Sequence, residues 1–374
     1  MHLITRMDGG GSAVNTLLSA IGQQQAGNRV CLAFGASDES EMTGSEQQQL
    51  AGRMQSFTDA GGEVVVIGAL MRSPGMADFK AHRQIRHLIL RGFDVLHTHT
   101  SKAGALGRLA ARKTAVSVVH TPHGHIFHGY FGWLMTAAFI TIERRLTRYT
   151  DMLVALTRAE RDDHLALGIG RTSQWRVIPS GVDVAALTES VQVWRRQHDN
   201  ARSWDAVSVG RLTPIKGMDR LLQAWGGLCR QKPDARLAIV GDGEKRQALE
   251  ALCVSLGISG NVHFAGWCDP VPYLAASRSF ALLSHNEGMG RAVVEAFAAG
   301  LPCVVADVCG LRELVTEDCG SVVDADEPDA VVAALLHAFE ADMLDACRKR
   351  AEAYSLRRML DELQILYGEL KPDV

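Results

Sequence analysis

The sequence lacks the signals that would place it among disulfide-rich, metal-binding or membrane-spanning proteins. Its eight cysteines include no C-x-x-C pair and no accompanying His-x3-His, so their spacing predicts reduced, buried thiols. The longest apolar run, Phe131–Ile142, is too short to cross a bilayer and is followed at once by Glu143. Asp8 and the glycines after it interrupt the start, so we predict no signal peptide and expect a cytoplasmic location.

The chain also lacks a strong excess of charge of either sign. Its net charge is −3 and its pI about 6.5, and basic and aromatic residues form no concentrated patch, which argues against a nucleic-acid binder. The balance hides an asymmetry, because residues 1–178 carry 19 basic and 14 acidic residues and the remainder carries 20 and 28. A mildly basic first part fits an anionic acceptor or contact with the inner face of a membrane, although so small a difference also arises by chance.

Short β-branched runs alternate with segments of helical length along all 374 residues. This alternation predicts parallel sheets covered by helices on both faces, and thirteen strand-like runs are too many for one sheet. We therefore predict an α/β protein with two Rossmann-like, doubly wound domains that face a cleft. They comprise residues 1–178, joined by a C-terminal helix at 356–374, and residues 179–355. The predicted strands are Leu3–Thr5, Arg29–Phe34, Glu63–Ile67, Asp94–His97, Val116–His120, Met152–Ala155, Arg176–Ile178, Ala206–Val209, Arg236–Val240, Val262–Phe264, Phe280–Leu283, Cys303–Val305 and Ser321–Val323.

The most informative segment is SHNEGMGRAVVEAFAAGLP, residues 284–302. Glu287 and Glu295 lie eight residues apart, and Gly288, Met289 and Gly290 lead from the first into a helix-forming run. Bare amides at a helix start receive an anion such as phosphate, while the two carboxylates can bind hydroxyls on either side of it. That pattern describes a sugar nucleotide. The alternative is a surface helix with two solvated glutamates.

Two other turns follow predicted strands. Arg211 and Lys216 flank a turn that leads into a helix, which suits a diphosphate, unless this is a solvated turn with two basic residues. Gly10 and Gly11 follow the first strand and let a ligand approach the backbone closely. The motif is not G-x-G-x-x-G, which argues against a dinucleotide site, and a flexible turn is the alternative.

Histidines crowd the segment from His120 to His128. A metal site lacks a supporting carboxylate there, so a single histidine bonded to a sugar hydroxyl, or simple loop packing, explains the cluster better. Asp324 and Asp326 have the D-x-D spacing of metal-dependent sugar transferases, but helix capping and solvation explain them better. We predict no metal.

A helix over Ala77–Arg91 is predicted to place Phe79, Ile85, Leu88 and Ile89 on one face among basic residues. It either covers the sheet or lies on an anionic membrane.

Together these motifs resemble the retaining GT-B glycosyltransferases of family 4, and within it the bacterial enzymes that assemble capsule, exopolysaccharide and cell-surface glycans. The resemblance covers nearly the whole chain. It is carried by the early glycine turn, HTHTSKAGALGRLAAR, HTPHGHIFHG, VIPSGVD, VGRLTPIKG, IVGDGEKR and the E-x7-E block with AAGLPCVVADVCGLRELV.

The resemblance implies an N-terminal acceptor domain, a C-terminal donor domain and a role for each site residue. Arg211 and Lys216 would neutralise the donor diphosphate, Glu287 would contact the donor sugar, and His123 would touch that sugar near the reaction centre. The ribose hydroxyls would be bound by Glu295. The amides of residues 288–290 would face the sugar and phosphate, and the early glycine pair at 10–11 would lie near the diphosphate.

The implied reaction is metal-independent transfer, with retention, from a nucleoside diphosphate sugar to a hydroxyl of a glycan or lipid-linked acceptor. UDP is the favoured nucleotide, and no cofactor is needed beyond this co-substrate. A GT-B nucleotide-sugar epimerase and a non-catalytic nucleotide-sugar binding protein are the alternatives. Three positions depart from the family pattern, namely Ser180, Cys309 and Thr157, and the first two put local loop geometry in question.

Overall fold

The computed structural model describes residues 1–8, 10–36, 44–124 and 132–370, which form two compact units. The first unit comprises Met1–Ser180 and Arg357–Val374, and the second comprises Gly181–Leu356. Each unit is built on one parallel sheet. The prediction of two parallel α/β sheets is therefore confirmed.

The first unit contains a seven-stranded sheet in the order β3-β2-β1-β4-β5-β6-β7. The strands are β1 (His2–Ile4), β2 (Cys31–Gly35), β3 (Glu63–Ile67), β4 (Val95–His99), β5 (Ser117–Thr121), β6 (Met152–Ala155) and β7 (Trp175–Val177). The helices that connect them are α1 (Gly11–Gln25), α2 (Gly44–Asp59), α3 (Ala77–Ile89), α4 (Ser101–Ala110), α5 (Trp133–Leu146) and α6 (Arg158–Ala166). The central strands are buried on both faces, as covered parallel strands must be.

The second unit contains a six-stranded sheet in the order β10-β9-β8-β11-β12-β13. Its strands are β8 (Trp204–Val209), β9 (Leu237–Val240), β10 (Val262–Gly266), β11 (Ser277–Leu282), β12 (Cys303–Ala306) and β13 (Gly320–Val323). Its helices are α7 (Val184–Gln197), α8 (Met218–Gln231), α9 (Arg246–Leu256), α10 (Val271–Ala275), α11 (Arg291–Ala298), α12 (Cys309–Arg312), α13 (Pro328–Glu340) and α14 (Leu344–Glu352). Trp225 of α8 is fully buried in an apolar cluster of this unit.

The last helix, α15 (Leu356–Leu370), begins at the end of the second unit and continues in the first. Its buried residues are Met359, Leu363 and Leu366. Residues 371–374 of the predicted C-terminal segment lie outside the described part of the chain. None of the described helices combines the length and the apolar character needed to cross a bilayer.

All thirteen predicted strands are present; some of their ends coincide with the predicted ones, and the others are displaced by one to three residues. One face prediction is wrong, because Phe79 of α3 is 71% exposed whereas Ile85, Leu88 and Ile89 are buried. The helical period explains the error. Phe79 precedes Ile85 by six residues, and at about 100° per residue this places the two side chains on different faces.

Each sheet contains a point at which the strand order reverses, and open α/β sheets bind ligands beyond the carboxyl ends of the strands at such points. In the first unit the reversal lies between β1 and β4, and in the second it lies between β8 and β11. The predicted site residues follow these strands or their immediate neighbours.

Candidate functional site

In the second unit two loops lie side by side beyond the switch point. One runs from the end of β8 to α8, and the other runs from the end of β11 to α11. The amide of His285 in the second loop donates a hydrogen bond to the carbonyl of Ile215 in the first, at 2.8 Å. The basic turn and the E-x7-E block, which are 71 residues apart in sequence, are thereby brought together.

The centre of this arrangement is an ion pair between Lys216 and Glu287. The Lys216 Nζ contacts Glu287 Oε1, and the Ser284 hydroxyl donates a hydrogen bond to the same carboxylate oxygen at 3.1 Å. Glu287 is the less accessible partner, with 12% of its side chain exposed against 26% for Lys216. The structure therefore joins two of the predicted site residues directly, and each neutralises the other's charge.

Glycine is required at two corners of this site. Gly217, between Lys216 and α8, has φ +60°, and a Cβ there would lie 1.9 Å from the carbonyl oxygen of Leu283. Gly290, which precedes α11, has φ +75°, and its Cβ would lie 2.4 Å from Leu311 Cδ2. Both positions combine a left-handed backbone with close contact, so no other residue fits without rearrangement.

The first turn of α11, which begins at Arg291, carries the positive end of the helix dipole. Gly288, Met289 and Gly290 lead into this helix start, and the Met289 side chain is buried. Glu295 lies one turn into α11, with an Arg291 nitrogen 3.9 Å from its carboxylate. It is therefore about 6 Å along the axis from the helix start.

Arg211 directly follows the turn residue after β8 and is half-buried. Among the described residues, its guanidinium makes no hydrogen bond or ion pair. The neighbouring Leu212 is bonded through its backbone to the loop after β9, since its amide donates to Asp242 at 2.8 Å and its carbonyl accepts from Lys245 at 3.0 Å. This supporting loop was not among the predicted site residues, although its G-D-G sequence was a usable signal.

The positions that depart from the family pattern are accommodated locally. Gly310, after Cys309, donates its amide to the Glu287 carbonyl at 3.1 Å, so the loop that carries Glu287 is supported. The Ser180 hydroxyl is buried and donates to Asn15 Oδ1 at 2.7 Å. Thr157 accepts a hydrogen bond from the Glu160 amide and so caps α6.

Asp324 and Asp326 are each engaged by other groups of the protein. Asp326 pairs with Arg220 at 2.6 Å, and Asp324 Oδ1 accepts from the amide of Asp326 at 2.9 Å. The predicted capping role is wrong in detail, because α13 begins after Glu327 and no side chain caps it.

In the first unit Gly10 and Gly11 lie at the start of α1, beyond β1. The Gly10 amide donates to Asp8 Oδ1 at 2.9 Å, and Asp8 in turn pairs with Arg6 at 2.8 Å. Gly10 therefore has an extended backbone, and its amide is hydrogen-bonded to Asp8. The amides that follow belong to the first turn of α1. Gly9 lies outside the described residues.

His123 follows β5 and is half-buried, with a left-handed backbone at φ +63°. Its Nε2 lies 2.9 Å from Nδ1 of His99, the last residue of β4. The next amide, of Gly124, donates to Glu160 Oε1 at 2.8 Å, and Glu160 Oε2 accepts from the Leu156 amide at 2.6 Å. A strained conformation that its surroundings hold in place on both sides is typical of functional positions. His125 and His128 of the predicted cluster lie outside the described residues.

Sequence reasoning missed a second group of histidines. His2, His97 and His99 are buried, and nitrogen atoms of the three lie within 4.8 Å of one another, close enough to hold a metal ion. The signal was the sequence His97-Thr98-His99 in β4, in which the strand alternation places both histidines on the same face of the sheet. His2, on the neighbouring strand β1, is the register partner of His97. Burial lowers the pKa of His97 and His99 well below the usual value and that of His2 to about 3, so all three are neutral near pH 7.

Comparisons with known proteins divide the chain in two. Residues 9–186 match a family described as Glycosyltransferase Family 4, and residues 191–354 match one described as Glycosyl transferases group 1. A UDP-Gal:alpha-D-GlcNAc-diphosphoundecaprenol alpha-1,3-galactosyltransferase of Escherichia coli is 28% identical over 74% of this chain and 76% of its own length. A GDP-mannose-dependent alpha-(1-6)-phosphatidylinositol monomannoside mannosyltransferase of Mycolicibacterium smegmatis is 31% identical over 62% and 63%.

Solved structures share the fold. Anabaena Alr3699/HepE in complex with UDP has a TM-score of 0.78 at 19% identity, covering 98% of this chain and 99% of that one. Sucrose-phosphate synthase from Thermosynechococcus elongatus has a TM-score of 0.79 at 19% identity, covering 99% and 98%.

Proposed function

Since this chain belongs to glycosyltransferase family 4 and is a nucleotide-sugar-dependent glycosyltransferase, we propose that it moves a sugar from a UDP-sugar to a hydroxyl of a cell-surface glycan or lipid-linked acceptor, with retention at the anomeric carbon. The observation that carries the proposal is the Lys216–Glu287 pair at the switch point of the second unit. UDP is favoured because the E. coli relative is named for a UDP-sugar and the Anabaena structure contains UDP. The mycobacterial relative is named for GDP-mannose, so the family alone does not determine the base.

Lys216 and Arg211 are assigned to the donor diphosphate. Both are permanent cations near neutral pH, and phosphate is a stronger partner for an ammonium than a half-buried carboxylate that is also bonded to Ser284. When a diphosphate displaces Glu287 from Lys216, the Glu287 carboxylate becomes available to accept hydrogen bonds from sugar hydroxyls. Without ligand, Lys216 and Glu287 therefore form a neutral pair. When the donor binds, Lys216 contacts the diphosphate and Glu287 contacts the sugar.

Glu295 and the start of α11 complete the donor site. The amino-terminal end of α11, with the positive end of its dipole, would bind phosphate oxygens, and Glu295 lies farther along the helix, at a distance suited to the ribose hydroxyls. Gly10 and Gly11, at the start of α1 in the first unit, are assigned a similar place near a phosphate. His123 is assigned to a sugar hydroxyl.

In the proposed step the bond between the anomeric carbon and the diphosphate oxygen breaks as the acceptor oxygen bonds to that carbon on the same face. The departing phosphate oxygen takes the proton of the acceptor hydroxyl. Negative charge builds up on the leaving diphosphate, and Lys216, Arg211 and the α11 amides stabilise it. Because these groups supply the required positive charge, the reaction is proposed to be metal-independent.

The first unit is proposed to bind the acceptor and to contact the membrane at the cytoplasmic face. On α5, Trp133, Leu134 and Met135 are 78%, 66% and 55% exposed, and Arg144 and Arg145 occupy the last turn of the same helix. Exposed apolar residues at one end of a helix and basic residues at its other end fit an anionic bilayer. Vesicles rich in anionic lipid should bind the protein and blue-shift Trp133 fluorescence, whereas neutral vesicles should not; equal binding to both would contradict this assignment.

The test of the donor site is Lys216→Ala. Removing one preorganised donor to a developing charge costs about 100- to 1,000-fold in kcat, and Lys216 also holds Glu287 in position. We expect loss of transfer by that factor or more, with circular dichroism unchanged. Lys232→Ala is the matched control, because Lys232 forms an ion pair with Asp205 at the other end of α8. Turnover of Lys216→Ala near that of the control would refute the phosphate assignment.

Two assays separate the alternatives. Incubation of donor alone would yield an isomerised nucleotide sugar if the protein were an epimerase, whereas a transferase leaves the sugar unchanged or slowly hydrolysed. A non-catalytic binding protein would be stabilised by a nucleotide sugar and transfer nothing. A thermal-shift screen of UDP-, GDP-, dTDP- and ADP-sugars identifies the donor, since the tightest ligand raises the melting temperature most.

A further inference from the structure

A continuous chain of hydrogen bonds runs from α1 to His123 in the first unit. Gln23 Oε1 lies 2.8 Å from His2 Nε2, and His2 Nδ1 lies 3.0 Å from His99 Nε2. His99 Nδ1 then lies 2.9 Å from His123 Nε2. His2 and His99 use both of their ring nitrogens in this chain, and both side chains are almost fully buried. We call the four residues Gln23, His2, His99 and His123 the histidine relay.

The direction of the relay follows from its first member. An amide oxygen can only accept a hydrogen bond, so His2 Nε2 must carry a proton. A neutral imidazole has one N–H, so His2 Nδ1 accepts from His99 Nε2, and by the same argument His99 Nδ1 accepts from His123 Nε2. In His123 the proton is therefore on Nε2, and Nδ1 is left as an acceptor.

This argument applies to uncharged rings. The side chains of His2 and His99 are almost fully buried, and their ring contacts in the relay are to an amide and to other imidazoles and not to a carboxylate, so burial favours the neutral form. His97 stacks on His99, with ring centroids 4.2 Å apart, and burial lowers its pKa well below the usual value. Its two ring nitrogens bond to Tyr367 and Thr121, so His97 is not a member of the relay.

The position of the His123 ring is fixed as well as its proton. His99 holds the ring, and Glu160 holds the adjacent Gly124 amide, so the left-handed backbone at His123 is fixed from both sides. A side chain that is held in this way can present one defined atom to a ligand.

We propose that Gln23, through His2 and His99, fixes the Nε2–H tautomer of His123, so that His123 Nδ1 accepts a hydrogen bond from a sugar hydroxyl. Gln23, His2 and His99 are positioning residues in this scheme, and they do not touch the substrate. The sugar contact rests on the proposed function, whereas the tautomer does not.

The tautomer can be observed directly by long-range proton–nitrogen NMR of protein labelled with ¹⁵N-histidine, in which protonated and unprotonated ring nitrogens resonate far apart. His123→Gln identifies the His123 signals by their loss. We expect Nε2 of His123 to be protonated and Nδ1 unprotonated in the wild type. The opposite tautomer would overturn the proposal.

The matched perturbation is Gln23→Met, which keeps the volume of the side chain and removes the terminal acceptor. Both tautomers of His123 should then be populated, and donor kcat/KM should fall about three- to tenfold, the effect of one neutral hydrogen bond. Gln24→Met, the same change at the next residue, should leave both unchanged. An unaltered His123 spectrum in Gln23→Met would also overturn the proposal.

Two further outcomes are decisive. A stoichiometric metal in the purified protein, with His2 and His99 nitrogens bound to it, would replace the relay with a metal site. With the wild type, a UDP-sugar should shift the His123 Nδ1 resonance more than UDP does, and equal shifts would remove the sugar contact from the scheme. If the tautomer is as proposed but no sugar is transferred, the proposed function fails and the relay remains.

Discussion

Acid should destabilise the first unit selectively, because it buries neutral histidines. The folded pKa of His2 and of His123 is about 3, against 6.5 for the free side chain, so between these values the unfolded chain binds more protons. The stability that comes from each neutral histidine is complete above pH 6.5 and is lost as the pH falls. A fall from pH 7 to pH 5 should lower the free energy of unfolding by about 2 kcal/mol for each of these two histidines.

Other groups change this total in known directions. The pKa of Glu160 is raised to about 7 by burial, so its effect is opposite and stabilises the unit by about 2 kcal/mol over the same range. The Met1 amino group, lowered to about 6, adds a loss of about 1 kcal/mol. His97, His99 and His120 act in the same direction as His2. The net loss should therefore exceed about 3 kcal/mol.

The measurement is urea unfolding combined with pulsed hydrogen exchange at a fixed labelling pH, which reports the amide protection of the strands in each unit separately. The protection of β1 and β4 should be lost at a lower urea concentration at pH 5 than at pH 7, and β8 and β11 provide the internal comparison. His123→Gln should reduce the loss by about 2 kcal/mol, whereas His87→Gln on the exposed side of α3 should not. Equal midpoints for β1 and β4 at the two pH values would refute the reasoning.

Two substitutions test the scaffolds of the two units. Gly217→Ala should lower both the melting temperature and the affinity for the donor, because the added Cβ would lie 1.9 Å from the Leu283 carbonyl oxygen. Gly257→Ala is the control: this residue also has a left-handed backbone, at φ +69°, but open space around it, so the substitution should lower the free energy of unfolding by only about 1 kcal/mol. Equal effects would contradict the steric argument. Glu143→Gln should lower the free energy of unfolding in urea by about 3–5 kcal/mol, since it leaves the charge of the fully buried Arg108 without its carboxylate partner. Arg108→Met combined with Glu143→Leu should cost less, and additive losses would show that the charge pair is not the cause.

The sequence was sufficient to predict the strands and the loops that follow them. Glu63–Ile67 is rich in β-branched residues and Met152–Ala155 is entirely apolar, and both predicted strands match the structure at each end. The proximity of Lys216 and Glu287 was also predictable in kind, since both follow strands of one parallel sheet and carboxyl ends share an edge. Their direct ion pair was not predictable, because it depends on β8 and β11 being neighbours.

The histidine relay shows what sequence patterns leave out. His2 and His97 are 95 residues apart, and they become neighbours because β1 is inserted between β2 and β4 in the sheet. Nothing in the local sequence of either strand specifies that order. Gln23 is a further step removed, since it reaches His2 from α1. Long-range register, and not local propensity, determines this part of the site.

The proposed function assigns the phosphate and the sugar hydroxyls of the donor to side chains of different chemistry. Phosphate carries charge at every pH of interest, so a permanent cation such as Lys216 suits it, and the partly exposed position of Lys216 keeps the cost of desolvation low. Sugar hydroxyls carry no charge. A protonated imidazole would attract a phosphate group more strongly than it attracts a hydroxyl. Burial that keeps His123 neutral therefore favours hydroxyl over phosphate at that position, and the direction of the relay decides whether the imidazole accepts or donates. On this reasoning, a change that protonates His123 would weaken discrimination between sugars while leaving the affinity for the diphosphate intact or increased.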